Sequence, residues 1–342
     1  MSLTFNGAQV KKVTLNGDEV KRINHNDTEV WTGVSPILNE NSWETISEVA
    51  RAGKGADYWN IGDVKMIELN GKIGDYCTTD HLQLGVFILD FNHSENGVSD
   101  NNIIFGGFKK EFYNKMYDVA LSDNSDIDCT FPYIKNFSMN HRAGKVDGAI
   151  QKRNTGSNFG GWKGSDLRFD ILGSTSIPPS DYSTQWKTAS NIGYDATLET
   201  LANPKEDTLL AAIPNEFRRV LRLRTHYVDN KGGSTAAPDN VSTVIDAVSL
   251  LSTPEVFGNS DVGWYNRAEL NYQSQMQYYA EGNKKNKMFL STDGKTSWSN
   301  VFWWLCSPSM SYDRDFCVVN NNGGETYSDS CYRCSLAPIF KV

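Results

Sequence analysis

The chain has 342 residues, of which 39% are hydrophobic and 12% aromatic, and its formal net charge is -8. These are the values of a globular protein, long enough to bury a sizeable core as one large domain or two. The acidic balance argues against a nucleic-acid or anionic-membrane binder, because phosphate contacts need clustered Lys and Arg. The one basic cluster is interpreted as a solvated helix face: Arg218, Arg219, Arg222 and Arg224.

The first residues, Met1 to Gly7, lack the basic start and apolar run of a signal peptide. No window approaches the roughly 18 apolar residues of a membrane-spanning helix. We therefore predict synthesis in a bacterial cytosol, where thiols stay reduced, and no membrane insertion.

A ten-residue repeat opens the chain, with Asn6-Gly7, Asn16-Gly17 and Asn26-Asp27 recurring in phase. Such pairs between alternating β-formers predict hairpins, because a type I′ turn requires positive φ at both central residues. The repeat therefore predicts a small β-meander within residues 1–34. A sheet this short is marginal alone and is expected to pack on something. The repeat resembles the ten-residue repeats that open many phage tail-associated proteins, and this resemblance implies an attachment or oligomerisation module. The alternative is that it is only the first sheet of the main domain.

A helix is predicted over Trp43 to Ala52, with Ser42 as N-cap and Gly53 just past its end. A strand is predicted over Val64 to Leu69, with a turn at Asn70-Gly71.

The apolar run Leu82 to Phe91 predicts a buried strand. Residues 92–165 are rich in Asn, Gly, Ser and Asp and are interpreted as loops and short strands, with apolar islands at Ile103–Phe108 and Thr130–Ile134. Residues 162–173 are expected to return to helix or core. Short helices are then predicted over Leu198–Asn203, Asp207–Arg224 with a break at Pro214, Ser242–Leu251 and Arg267–Glu281.

The last stretch, Val301 to Val342, has two apolar ends and a polar middle. The ends, Val301–Leu305 and Leu336–Phe340, predict buried strands. Of the 29 residues from Cys306 to Cys334, 22 are Cys, Ser, Tyr, Asp, Arg, Asn or Gly. This composition is typical of binding loops, in which Tyr and Arg anchor a ligand and smaller polar residues adapt to it.

The candidate ligand-binding residues all lie in this polar middle. They are Cys306, Tyr312, Asp313, Arg314, Asp315, Asn320, Asn321, Asn322, Tyr327, Ser328, Asp329, Cys331, Tyr332, Arg333 and Cys334.

Motifs at both ends of the chain carry a family resemblance. Residues 42–53 read SWETISEVARAG and residues 58–63 read YWNIGD; near the C-terminus stand WWLCSP, Phe316-Cys317, Gly323-Gly324 and APIFKV. This set resembles C-type-lectin-fold proteins of phages that infect gut Firmicutes, including variable proteins of diversity-generating retroelements. The resemblance implies an α+β fold: an N-terminal β-meander, residues 1–34, and a C-type-lectin-like domain, residues 35–342, with a variable region at 301–342.

The function that the resemblance implies is ligand or receptor binding, as a bacteriophage tail-tip adhesin, with no catalytic residue, metal or cofactor. Its partners would be a bacterial surface protein or glycan and the other tail components, in a homo-oligomer such as a trimer carried on the virion. Retroelement mutagenesis turns Asn codons into codons for Cys, Asp, Arg, Tyr and others. Cys306, Cys331 and Cys334 are therefore expected at variable positions where their side chains are at least partly exposed, and Cys317 in the core.

Two metal alternatives and two further function classes remain open. Asp313, Asp315 and Asp329 could supply oxygen ligands to calcium, although the Glu-Pro-Asn and Trp-Asn-Asp runs of animal lectins are absent. The pair Cys331-x-x-Cys334, with Cys306 and Cys317, could bind zinc or act in an oxidase of the formylglycine-generating type. The other function class that remains open is a purely structural tail protein. Neither a His-Glu-x-x-His nor a Gly-x-Ser-x-Gly motif occurs.

Overall fold

The computed structural model describes residues 33–74, 77–95, 97, 99–123, 137–140, 158–175, 194–259 and 262–342, together with the backbone of short strands within 4–31 and 144–151. The predicted apolar island Thr130–Ile134 lies outside the described residues.

The N-terminal repeat forms three antiparallel hairpins, each with an Asn-Gly or Asn-Asp pair between its strands in the sequence. Their strands are β1 Thr4–Phe5, β2 Ala8–Gln9, β3 Val13–Leu15, β4 Asp18–Val20, β5 Ile23–His25 and β6 Thr28–Trp31. The hairpin prediction is confirmed. In the described residues each hairpin is a separate two-stranded sheet, and no described pairing joins the three into the predicted β-meander. Strands this short offer few backbone groups with which a neighbouring hairpin could pair.

The centre of the structure is a seven-stranded sheet of order β16-β15-β10-β9-β8-β7, with β20 paired to β9 beside this path. Only β10 and β15 pair parallel; the other neighbours are antiparallel. Its strands are β7 Val64–Ile73, β8 Cys77–Phe91, β9 Ile103–Phe112, β10 Lys115–Ser122, β15 Lys287–Ser291, β16 Thr296–Val301 and β20 Ile339–Lys341.

Both faces of this sheet are covered around the second half of β8, where every residue from Leu84 to Asp90 is buried and the sequence is almost continuously apolar. Leu84, Val86 and Ile88 face one hydrophobic cluster, while Phe87 and Leu89 face the other. The buried strand predicted over Leu82–Phe91 is confirmed.

The C-terminal strand docks on β9 at a glycine. Ile339 pairs with Gly106, and a Cβ at Gly106 would lie 2.6 Å from the Ile339 side chain and 2.3 Å from that of Leu89. The absence of a side chain therefore lets the chain end close onto the sheet.

The remaining elements are short. The helices are α1 Trp43–Arg51, α2 Gly55–Tyr58, α3 Leu198–Ala202, α4 Leu209–Ala212, α5 Asn215–Arg218, α6 Thr253–Phe257 and α7 Gln277–Ala280. Turns of 3₁₀ helix cover Leu38–Glu40, Pro238–Asn240 and Arg267–Asn271, and a turn of π-helix covers Leu167–Ile171. The other strands are β11 Gly144–Val146, β12 Ala149–Gln151, β13 Arg224–Asp229, β14 Val241–Asp246, β17 Trp303–Pro308, β18 Asp315–Val319 and β19 Glu325–Asp329.

Several local predictions are confirmed. The Ser42 side chain caps α1 by accepting a hydrogen bond from the Thr45 N–H, and Gly53 follows the helix with φ +69°. Pro214 separates α4 from α5. The segment around Trp162 and Leu167 is buried in the main core.

Four other predictions are wrong in part. Residues 92–165 contain the long strands β9 and β10, and Ser242–Leu251 begins as β14 because its β-branched side chains favour a strand. Asn70-Gly71 is not a turn but an irregularity inside the β7–β8 ladder. Arg267–Glu281 is not one helix but a 3₁₀ turn and the short α7.

The basic cluster is a solvated helix face only in part: Arg218 is half-buried at the end of α5 and Arg219 is exposed just after it, but Arg222 and Arg224 lie beyond the helix. Arg224 is buried in β13 and pairs with Glu255. Arg222 Nη2 lies 2.9 Å from Asp100 Oδ1.

The mixture of strands and short helices agrees with the α+β class. None of the helices in the described part is long and apolar enough to cross a membrane.

Candidate functional site

The polar C-terminal stretch forms a three-stranded antiparallel sheet of order β17-β18-β19. β17 is wholly buried and β18 is buried except at Asp315, while every residue of β19 is half-buried. Asp315 pairs with Asp329, Cys317 with Tyr327 and Val319 with Glu325. Directly paired and alternate residues share one side of a ladder. Asp315, Glu325, Tyr327 and Asp329 therefore lie on the same side.

Asn158 fixes the loop between β17 and β18. Its side-chain amide donates to three carbonyls, those of Ser309 at 3.0 Å and of Tyr312 and Asp315 at 2.8 Å each, and its oxygen accepts from the Gly233 N–H at 2.8 Å. Its own N–H donates to the Asp313 carbonyl at 2.8 Å. The loop is thus held by a residue about 150 positions earlier in the chain.

Three aromatic rings meet beside this loop. The Tyr327 ring centroid lies 4.8 Å from that of Tyr312 and 4.9 Å from that of Trp264. Tyr312 is 46% exposed, and Trp264 and Tyr327 are half-buried. The Met310 N–H donates to the Trp264 carbonyl at 2.8 Å, which joins the loop to the segment before Arg267–Asn271. We call Trp264, Tyr312 and Tyr327 the aromatic corner.

Charged groups border the aromatic corner. Burial and the facing Asp329 carboxylate raise the pKa of Asp315 to about 6. Arg314 Nη2 lies 3.2 Å from Asp329 Oδ2, and its side chain is 60% exposed. The hydrogen bond with Tyr312 raises the pKa of Tyr327, and the nearby Asp315 charge adds to this. The arrangement can stack a flat or cationic group and offer it carboxylate oxygens.

The structure brings together only part of the predicted set. Tyr312, Asp313, Arg314, Asp315, Tyr327 and Asp329 lie at one end of the β18–β19 hairpin. Tyr332 and Arg333 are exposed just beyond this end, where the Ser330 N–H donates to the Arg314 carbonyl.

The remaining exposed or half-exposed members lie elsewhere. Asn320, Asn321 and Asn322 form the turn at the opposite end of the hairpin, where Asn320 Oδ1 accepts from the Asn322 and Gly324 N–H groups. Ser328 pairs with Phe316, on the other side of the ladder from Tyr327.

Three predicted site residues are in the interior, which corrects the expectation of exposed cysteines. Cys306 is 0% exposed, and Cys331 and Cys334 are 8% exposed each. Cys306 lies in the fully buried β17 and belongs to the main core, so it cannot contact a ligand directly. Burial raises its pKa well above the usual range. The burial predicted for Cys317 is confirmed.

The metal and redox alternatives gain nothing from the geometry. Among the described residues, no three His, Cys, Asp or Glu side chains form a group that could hold a metal ion. An oxidase acting through Cys331 and Cys334 would need thiols that a substrate can reach, but each of these side chains is only 8% exposed.

Trp264 and Asn158 were missed by the sequence reasoning. Trp264 follows Gly263, a residue with φ +69°, but nothing in the local sequence links it to a loop about 50 residues later. Asn158 lies in a stretch interpreted only as loop, and no sequence signal separates it from its polar neighbours.

Comparison with known proteins gives one match. Residues 206–342 match the model of a family described only as a domain of unknown function, DUF6273. No curated protein and no solved structure matches the chain. The matched region contains the aromatic corner and the β17–β19 sheet, but not Asn158.

Proposed function

We propose that this protein binds a ligand or receptor through the exposed end of the β18–β19 hairpin, and that it is a phage tail-tip adhesin with a C-type-lectin-like domain. The carrying observation is the aromatic corner with its charged border, held at the end of a hairpin whose strand β18 is buried except at Asp315 and whose strand β19 is half-buried. The sequence resemblance supplies the phage context, the diversified surface and the virion location. We assign no catalytic role to any residue of this face.

Support for a binding role comes from the division between scaffold and surface. Trp303, Trp304, Phe316 and Val318 are fully buried and hold the sheet. Tyr312 and Tyr332 are 46% and 56% exposed at its edge. Tyr, Trp and Arg dominate binding hot spots, and they do so best when a rigid scaffold holds them.

The test is adsorption to host cells by a triple variant, Tyr312→Ala with Arg314→Ala and Tyr332→Ala. We expect binding to fall by at least about 30-fold, because the loss of even one hot-spot residue worth roughly 2 kcal/mol weakens binding by that factor. The melting temperature should stay within a few degrees, since these side chains are largely exposed. Flow cytometry with labelled protein on gut Firmicutes strains measures the adsorption, and circular dichroism measures the melting temperature.

Trp298→Ala is the matched control, because Trp298 is 63% exposed but belongs to β16 in the central sheet. It should leave adsorption unchanged. Equal loss with Trp298→Ala, or full adsorption by the triple variant, would contradict the proposal.

We assign attachment or self-association to the three N-terminal hairpins, because two-stranded sheets with strands of two to four residues are marginal alone and gain stability by packing on a partner. A chain that begins at Ser35 should fold, yet lose its oligomeric mass in light scattering. If the shortened protein keeps the full-length oligomer mass, or fails to fold, this assignment is wrong.

A further inference from the structure

We propose that the group recognised at the aromatic corner is an organic ammonium ion, stacked against Trp264, Tyr312 and Tyr327 with Asp315 as its counter-charge. This rests on the proposed function, since it names the ligand chemistry of the same face. A lysine side chain of a receptor protein and a quaternary ammonium group of a surface polymer share this chemistry.

The ring geometry favours a cation. The Tyr327 ring is inclined by 68° to Trp264 and by 42° to Tyr312. The three rings are therefore not coplanar and do not form one flat platform. An ammonium group gains from several ring faces within about 6 Å, whatever their mutual angle. A flat ring ligand would instead stack on one face at a time.

The local charge points the same way. From Met310 to Ser330 the chain carries four carboxylates and one guanidinium, a formal charge of -3; they are Asp313, Asp315, Glu325, Asp329 and Arg314. The single guanidinium already pairs with Asp329 at 3.2 Å. Two guanidinium groups outside this stretch face other partners: Arg333 Nη1 lies 3.7 Å from Asp123 Oδ1, and Arg267 lies over the Tyr265 ring. The stretch itself is negative, so it attracts a cation and repels an anion.

Asp315 is the carboxylate best placed to receive the charge. It lies on the same side of the β18–β19 ladder as Tyr327 and is close enough to raise the pKa of that phenol. The charged groups around it are Asp329 across the ladder and its chain neighbours Asp313 and Arg314. Of these, only Arg314 is positive, so a bound cation would relieve the repulsion between Asp315 and Asp329.

Tyr265 follows Trp264 in the chain and is buried. Its hydroxyl has no hydrogen-bond partner among the described residues. The Arg267 guanidinium carbon stands 5.6 Å from the Tyr265 ring centroid, so this part of the molecule already holds one cation against an aromatic ring.

The experiment uses the full chain and four small probes in saturation-transfer NMR. Choline and tetramethylammonium represent quaternary ammonium, n-butylammonium represents a lysine side chain, and 3,3-dimethylbutan-1-ol is the neutral isostere of choline. We expect the ammonium probes to bind at pH 7.5 and the neutral alcohol to bind about tenfold more weakly or not at all. The tighter of the two ammonium types identifies the source.

Two variants and one titration test the assignment. Asp315→Asn and Tyr312→Ala should each weaken ammonium binding by about tenfold, whereas Trp298→Ala should not change it. Binding of the native protein should decline as the pH falls through about 6, because a protonated Asp315 carries no counter-charge. Circular dichroism at each pH checks that the fold persists.

Equal binding of the neutral isostere, or no effect of Asp315→Asn, would overturn the inference. If host-cell adsorption still depends on Tyr312 while no ammonium probe binds, only the ligand chemistry is wrong. If adsorption and ammonium binding are both indifferent to Tyr312, the proposed binding face fails as well.

Discussion

Asp246→Asn is expected to destabilise the protein by about 3 to 5 kcal/mol, the range for leaving one partner of a buried ion pair uncompensated. Asp246 is fully buried, with Arg168 Nε at 2.6 Å from Oδ1 and His226 Nε2 at 2.7 Å from Oδ2. The Trp162 indole N–H also donates to Oδ2, at 2.8 Å. The substitution would leave the Arg168 guanidinium as an unpaired buried charge, and denaturant unfolding measures the loss.

The same site makes stability fall in acid. Burial alone would raise the pKa of Asp246, but Arg168 and His226 hold it at about 2, below its ordinary value of 3.8. Its contribution is therefore complete above about pH 4 and is lost as the pH falls towards 2. Burial and the Arg224 charge lower the pKa of His226. The unfolded chain then binds its proton more readily, so stability also falls as the pH drops below about 6.5.

Asp293→Asn is the control. The pKa of Asp293 is also about 2, but its hydrogen bonds with Lys295 and Ser291 lower it, and its side chain is 39% exposed. Solvent screens such a pair, so the loss should stay within about 0.5 kcal/mol. Similar losses for Asp246→Asn and Asp293→Asn would mean that the buried network contributes little.

Asn158→Ala has the second largest expected effect. It removes a fully buried amide whose side chain makes four hydrogen bonds, to the carbonyls of Ser309, Tyr312 and Asp315 and from the Gly233 N–H. At about 1 kcal/mol for each, with buried carbonyls left unpaired, we expect a loss of roughly 2 to 4 kcal/mol.

This variant should also loosen the proposed binding face, because the Asn158 amide fixes the loop that carries Tyr312. Hydrogen exchange at residues 309–315 should accelerate relative to that at β8 in the central sheet. Asn322→Ala is the matched control, since Asn322 is exposed in the turn at the far end of the hairpin. Unchanged exchange in the loop, or an equal effect of Asn322→Ala, would contradict the positioning role of Asn158.

The sequence alone determined the elements whose signals are local. Ser42 and Gly53 mark the ends of α1 because a cap satisfies backbone groups within three or four residues of itself. Pro214 separates α4 from α5 because its ring excludes a helical hydrogen bond wherever it stands. The Asn-Gly pairs predict the hairpins because the turn residues themselves supply the positive φ that a type I′ turn needs.

Only the tertiary structure decided the rest, since the partners are distant in the chain. Cys306 looks like a residue of a polar loop by composition, but it lies in β17, the fully buried strand beside β18, and belongs to the core. Trp264 joins Tyr327 across about 60 residues, and Asn158 reaches Tyr312 across 154. Composition predicted that residues 306–334 bind a ligand. Which side chains face solvent, and which ones meet, depended on strand pairing and burial that no local pattern encodes.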